Sequence, residues 1–80
     1  MAGWVEYNGT YTYTTDEYIA VVSAVEIVDF TIFYGYTIYT NDKNLDVVWS
    51  SDRDSGINYY YFEEEAKDRA LATIREFEGR

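Results

Sequence analysis

The chain has 80 residues, 15 acidic against 6 basic for a net charge of −9, and neither cysteine nor histidine. This length makes one domain, residues 1–80, with a small core that buries roughly 60% of the surface the unfolded chain exposes. Disulfides, zinc fingers and thiol chemistry are excluded, and the charge opposes direct binding to nucleic acid or to an anionic membrane.

Taken in chain order, residues 4–14 (WVEYNGTYTYT) alternate with period two. Val5, Tyr7, Gly9, Tyr11 and Tyr13 fall on one side and Glu6, Asn8, Thr10, Thr12 and Thr14 on the other, which predicts a single strand with a bulge at Gly9. Asn8-Gly9 is also a hairpin dipeptide, but a turn there would set Thr10 opposite Tyr7 and break the alternation. Thr15-Asp16-Glu17 is polar punctuation. Tyr18 to Val28 reads as a strand because six of its eleven residues are Val or Ile; a short helix over 15–24, capped by Thr15, is the alternative.

Residues 30–40 (FTIFYGYTIYT) form a further β-run in which Gly35 marks a bulge, bend or turn. Asn41 to Asn44 is a turn, Leu45 to Ser50 a short strand, Ser51 to Gly56 a second turn and Ile57 to Phe62 a last strand. Leu45, Val47 and Trp49 share one face, as do Ile57, Tyr59 and Tyr61, so these two strands are expected to pair as a hairpin. The period then changes to 3.6. Ala66, Ala70, Ile74 and Phe77 make one stripe, widened by Leu71, with Glu63 to Glu65 in the first turn and Gly79 as C-cap. The expected fold is α+β: an antiparallel sheet of about four to five strands packed against one C-terminal amphipathic helix.

No pattern here carries a specific chemistry. Asp52, Asp54 and Gly56, with Glu63 eleven residues after Asp52, resemble a calcium loop, but Ile57 stands where the loop glycine is required, so a turn is the better reading. There is no Gly-rich phosphate loop, and no histidine or cysteine to serve as general base or nucleophile. The expectation is therefore a non-enzymatic protein without metal or cofactor. The N-terminus has no signal-peptide pattern, and no run is apolar enough to span a bilayer, which together predict a cytoplasmic protein.

Acidity and a tyrosine excess, 10 Tyr with Trp4 and Trp49 besides, are the features left to carry function. Both suit a surface that binds a basic protein. The candidate contacts are Asp42, Asp46, Asp52, Asp54, Glu63 and Glu64, with Trp49, Tyr59 and Tyr60 as aromatic anchors. In size, acidity and compact β-plus-helix plan the chain resembles the small phage-encoded anti-CRISPR and DNA-mimic proteins. That resemblance implies an inhibitor that occupies the nucleic-acid-binding surface of a larger protein. Two alternatives stand beside it: a homodimer formed through the sheet, and an aromatic module that binds carbohydrate or another ligand.

Overall fold

The computed structural model describes residues 3–53 and 59–79. Five antiparallel strands follow one another as a meander: β1 (Trp4–Tyr7), β2 (Thr10–Thr14), β3 (Tyr18–Val28), β4 (Thr31–Thr40) and β5 (Val47–Ser50), in the spatial order β1-β2-β3-β4-β5. A single 3₁₀ turn (Ser51–Arg53) follows, and helix α1 (Glu63–Glu78) lies across β3 and β4. This is the α+β arrangement that the alternation and the late helical stripe predict.

Helix α1 covers one face of the sheet, and among the described residues no second helix covers the other. Ala20 and Val22 of β3 pair with Ile38 and Tyr36 of β4 and meet Ala66, Ala70 and Ile74 of α1 in the buried core. The small residues on the helix let its backbone come close to the strands. Thr73 is buried among them, donating to the Arg69 carbonyl (2.9 Å) and sharing a hydrogen bond with the Tyr36 hydroxyl (3.1 Å). The helix begins at Phe62 with no side-chain cap, and ends with the Gly79 N–H bonded back to the Arg75 and Phe77 carbonyls.

The first segment is a hairpin, not one strand. Asn8 and Gly9 both take positive φ (51° and 80°), as a type I′ turn requires, and Tyr7 does lie opposite Thr10. The turn preference of Asn-Gly overrides the alternation, so that Trp4, Tyr11 and Tyr13 pack toward the core while Val5 and Tyr7 stay exposed. Lys67 on α1 holds this hairpin down, its ammonium 3.9 Å from the Tyr11 ring centre and 5.7 Å from that of Trp4. Residues 18–24 are strand, and the short-helix alternative over 15–24 is not what forms. Thr15 instead closes a tight loop, its hydroxyl accepting from the Tyr18 N–H (2.9 Å).

Gly35 sits in a continuous strand, paired with Ser23, and the register shift falls across the ladder between Ala24 and Glu26. The glycine is required by close approach: a Cβ there would lie 2.9 Å from the Ser51 hydroxyl and 3.1 Å from Val25. Ser51 is held at that spot because its hydroxyl accepts from the Tyr36 N–H (3.3 Å), in place of a strand rung. The expected hairpin between 45–50 and 57–62 does not form among the described residues. β5 pairs with β4, and Tyr60 makes one antiparallel bridge to Tyr34 on that same strand, while Ile57 and Asn58 lie outside the described residues. A bulge in β5 sets Val47 opposite Tyr39 and Trp49 opposite Ile38, so the shared face of Leu45, Val47 and Trp49 is broken. No helix among the described residues is long and apolar enough to cross a membrane.

Candidate functional site

Charge collects at one end of the sheet. The β2–β3 loop (residues 15–17) and the β4–β5 loop (residues 41–46) are tied together by Asn41, whose N–H donates to the Glu17 carbonyl (2.9 Å) and whose side-chain amide donates to the Thr15 carbonyl (2.7 Å). Asp16, Glu17, Asp42 and Asp46 therefore crown the same end, all in exposed positions, with Lys43 as the one cation in these loops. The last turn of α1 reaches this end as well. Phe77 packs on Tyr18, the first residue of β3 (ring centres 5.9 Å apart), and on Trp49 (6.4 Å). It brings exposed Glu76 and Glu78 alongside, with Arg75.

The carboxylates here have unequal freedom. Asp42 braces its loop, accepting from the Thr40 hydroxyl (3.0 Å) and from the N–H groups of Asn44 (2.9 Å) and Leu45 (3.1 Å). The Thr40 hydrogen bond first, then the two backbone donors, hold its carboxyl below the ordinary aspartate range. This is a local cap in which the aspartate stabilises a backbone containing Leu45 at positive φ (49°).

A second feature lies on the face away from α1. A cavity of about 410 Å³ opens between β3, β4 and β5, lined by Gly35 and by the hydroxyl-bearing residues Ser23, Thr37, Tyr39, Ser50, Ser51 and Tyr59. Among the described residues Asp52 supplies the carboxylate of this wall, and it is hydrogen-bonded by the Ser50 hydroxyl. A third feature, a hollow of about 330 Å³, lies at the start of α1 against Tyr34, Tyr61, Phe62, Glu63 and Glu64. Here a hydrogen bond between Tyr11 and the Glu63 carboxylate, with burial and that carboxylate's charge added, pushes the Tyr11 phenol up to about 12.

The sequence-derived candidates are thus distributed over three places. Asp42 and Asp46 meet at the acidic end, joined by Asp16 and Glu17. Asp52 and exposed Tyr59 line the hydroxyl cavity. Glu63 and Glu64 stand at the opening of α1, near the Tyr34–Tyr60 bridge, six residues of β4 away from Thr40 and so about 20 Å from the acidic end. Trp49 and Tyr60 are half-buried and pack against the core, which makes them scaffold before they are anchors. Asp54 lies outside the described residues. Among the described residues no group of three acidic side chains is placed to hold a metal ion.

What the sequence reading passes over is the far end of the β3–β4 hairpin. β2 accompanies β3 only to Val22, and β5 accompanies β4 only from Thr37 onward. Residues 24–33 therefore project beyond their neighbours, with Val25, Ile27, Val28, Phe30 and Ile32 all exposed. Their signal in the sequence is a run whose apolar residues do not alternate with polar ones. Compared with known proteins, the chain matches no family model, no curated protein and no solved structure.

Proposed function

We propose that this is a non-catalytic acidic binding protein that sets the loop end of its sheet against a basic surface of a larger protein, one that ordinarily holds nucleic acid. The observation that carries the reading is the tie made by Asn41, which joins two separate loops into one acidic end on a chain of net charge −9. Carboxylates fixed on short, hydrogen-bonded loops present negative charge at little cost in ordering, which favours a cationic groove. The role fits the resemblance to small phage-encoded inhibitors. The contact set shifts accordingly, to Asp16, Glu17 and Asp46, with Asp42 as the brace that shapes the loop.

The test is positional. Asp16→Asn, Glu17→Gln and Asp46→Asn together should abolish capture of the basic partner recovered from the source cell. Glu64→Gln, Glu65→Gln and Asp68→Asn remove the same charge from α1 and should leave capture intact. Duplex DNA should compete for the same partner. Capture should weaken as salt rises, because contacts at an exposed rim are screened beyond a Debye length of about 10 Å at 0.1 M. Equal losses from the two triple variants, or indifference to salt, would overturn the reading.

A second reading rests on the cavity. The hydroxyl-bearing lining residues, the Asp52 carboxylate and the rings of Tyr39 and Tyr59 suit a small polyhydroxylated ligand. A panel of monosaccharides followed through the amide resonances of Gly35 and Thr37 should show a saturable shift, and a panel without one removes this reading.

A further inference from the structure

The projecting β3–β4 hairpin has one bare edge. On the β4 side the ladder is continued past β5: Tyr36 N–H meets the Ser51 hydroxyl, and Tyr34 exchanges two 2.8 Å hydrogen bonds with Tyr60. On the β3 side nothing among the described residues pairs with Ala24 to Val28. In an antiparallel ladder, alternate residues turn their N–H and C=O groups away from the neighbouring strand. Tyr34 and Tyr36 do so on β4, hence Ile32 does as well, and its cross-ladder partner Ile27 offers both groups to the free β3 edge. Ile27 is also 68% exposed.

The hairpin is short of charge as well as of partners. From Tyr18 to Thr40 there are two charged residues, Glu26 and Asp29, and no cation occurs before Lys43. A basic partner is drawn to the opposite end, so electrostatics does not recommend this edge to it. An anionic membrane surface is disfavoured too, since the hairpin carries no cation to meet it. What the edge fits is its own copy. We infer that two chains pair antiparallel through their β3 edges, with the two-fold axis at Ile27, forming one continuous ten-stranded sheet.

This register follows from the chemistry of the edge. Placing Ile27 on Ile27 of the second copy satisfies both outward backbone groups and sets Ile32, Ile27, Ile27 and Ile32 in a row across four neighbouring strands. It places Val28, not Glu26, opposite each Glu26, which avoids like charges directly across the joint. Shifting the axis to Glu26 would set the two glutamates face to face. The tip of each copy then reaches Ala24 of the other, where the accompaniment by β2 begins, so the joint fills the free edge. The two acidic ends point away from one another, and the assembly is bivalent. The dimer does not depend on the acidic end binding anything.

A joint of two short strands is small by the standard of stable interfaces, so a weak, concentration-dependent dimer is expected. Sedimentation equilibrium should show the average mass rising from the 9.4 kDa of one chain toward twice that value as the chain concentration approaches about 1 mM. Dimerisation should strengthen toward about 1 M salt, where the Debye length of about 3 Å screens the repulsion between two chains of charge −9. That sign is opposite to the one expected for capture of a basic partner, so the two readings fail separately. Ile27→Asp should leave a monomer under all these conditions, with the circular dichroism of the parent. Because the chain has no cysteine, Ile27→Cys provides a second measurement. Two such residues on the axis have Cα atoms about 5.5 Å apart and should form a disulfide-linked dimer on mild oxidation. Val5→Cys, equally exposed at 66% on β1, should not. A monomer mass throughout, or equal cross-linking of the two cysteine variants, would overturn the inference.

Discussion

At the scale of single residues, the fold depends on a few positions where backbone and side chain leave no slack. Gly35→Ala places a methyl group 2.9 Å from the Ser51 hydroxyl, closer than real Cβ atoms come, and tightly against Val25 at 3.1 Å. The expected cost is about 1–3 kcal/mol, read as a fall in the urea midpoint, with Thr37→Ser on the same strand as a near-neutral control. Phe30 poses the reverse case. It stands at φ 66° in the turn after β3, next to Asp29 at 49°, and is fully exposed. A bulky side chain in left-handed backbone with no burial to offset it should be improved by glycine, so Phe30→Gly should raise stability by about 0.5–1 kcal/mol. A loss of stability would mean that the ring is held by contacts along the hairpin.

Asp42 gives a dependence on pH. Its folded carboxyl titrates below the ordinary value of 3.8, so its contribution is fully present above that value and disappears as pH falls through the lower folded value. The stability gap between the parent and Asp42→Ala should therefore be constant near neutrality and narrow below about pH 4, followed by denaturant titration at each pH.

At the scale of elements, what could be read from the sequence depended on how local the deciding interaction is. The helix was legible because Ala66, Ala70 and Ile74 recur at helical spacing and need only one surface to pack on. The β-branched run of β3 was legible for the same reason. At the β1–β2 hairpin alternation and turn preference conflict, so the pattern points to one strand while the left-handed preference of Asn8-Gly9 prevails. The β3–β4 turn gave no dipeptide signal, since Asp29-Phe30 is an unfavourable choice for the conformation it adopts. The acidic end could be read only in half. Asp42 and Asp46 follow from local turn chemistry, but their union with Asp16 and Glu17 requires Asn41 to find Thr15, 26 residues away. Thr73 was outside the expected stripe because its burial is licensed by the Tyr36 hydroxyl, a partner on another element. Ile74→Ala, which opens a cavity between α1 and the sheet, should cost about 2–4 kcal/mol. Leu71→Ala, at a half-buried position, should cost about half as much by the same denaturation assay.

At the scale of the whole molecule, the balance is between a one-sided core and a charge that acts against compaction. The core comprises three small alanines with Val22, Tyr36, Ile38 and Ile74, and aromatic rings such as Trp4, Tyr13 and Trp49 close its rim. Against it stands the mutual repulsion of nine excess negative charges. Screening that repulsion should stabilise the fold. Raising sodium chloride from about 0.01 to 1 M, which shortens the Debye length from about 30 to 3 Å, should raise the melting temperature by about 4–8 °C, equivalent to about 1 kcal/mol. A melting temperature that falls with salt would show that local pairs such as Lys67 over Tyr11 outweigh the net charge.

The meander order has a consequence for how the protein is made. Each strand from β2 to β5 pairs with the one synthesised immediately before it, so the sheet can assemble in step with the ribosome, at a pace set by short loop closures. The element that covers its apolar face is synthesised only after all five strands. For as long as residues 63–78 remain in the exit tunnel, Val22, Tyr36 and Ile38 lie bare on a finished sheet. During that interval the nascent chain is at its most adhesive, and a holding chaperone would find it then rather than once α1 has emerged.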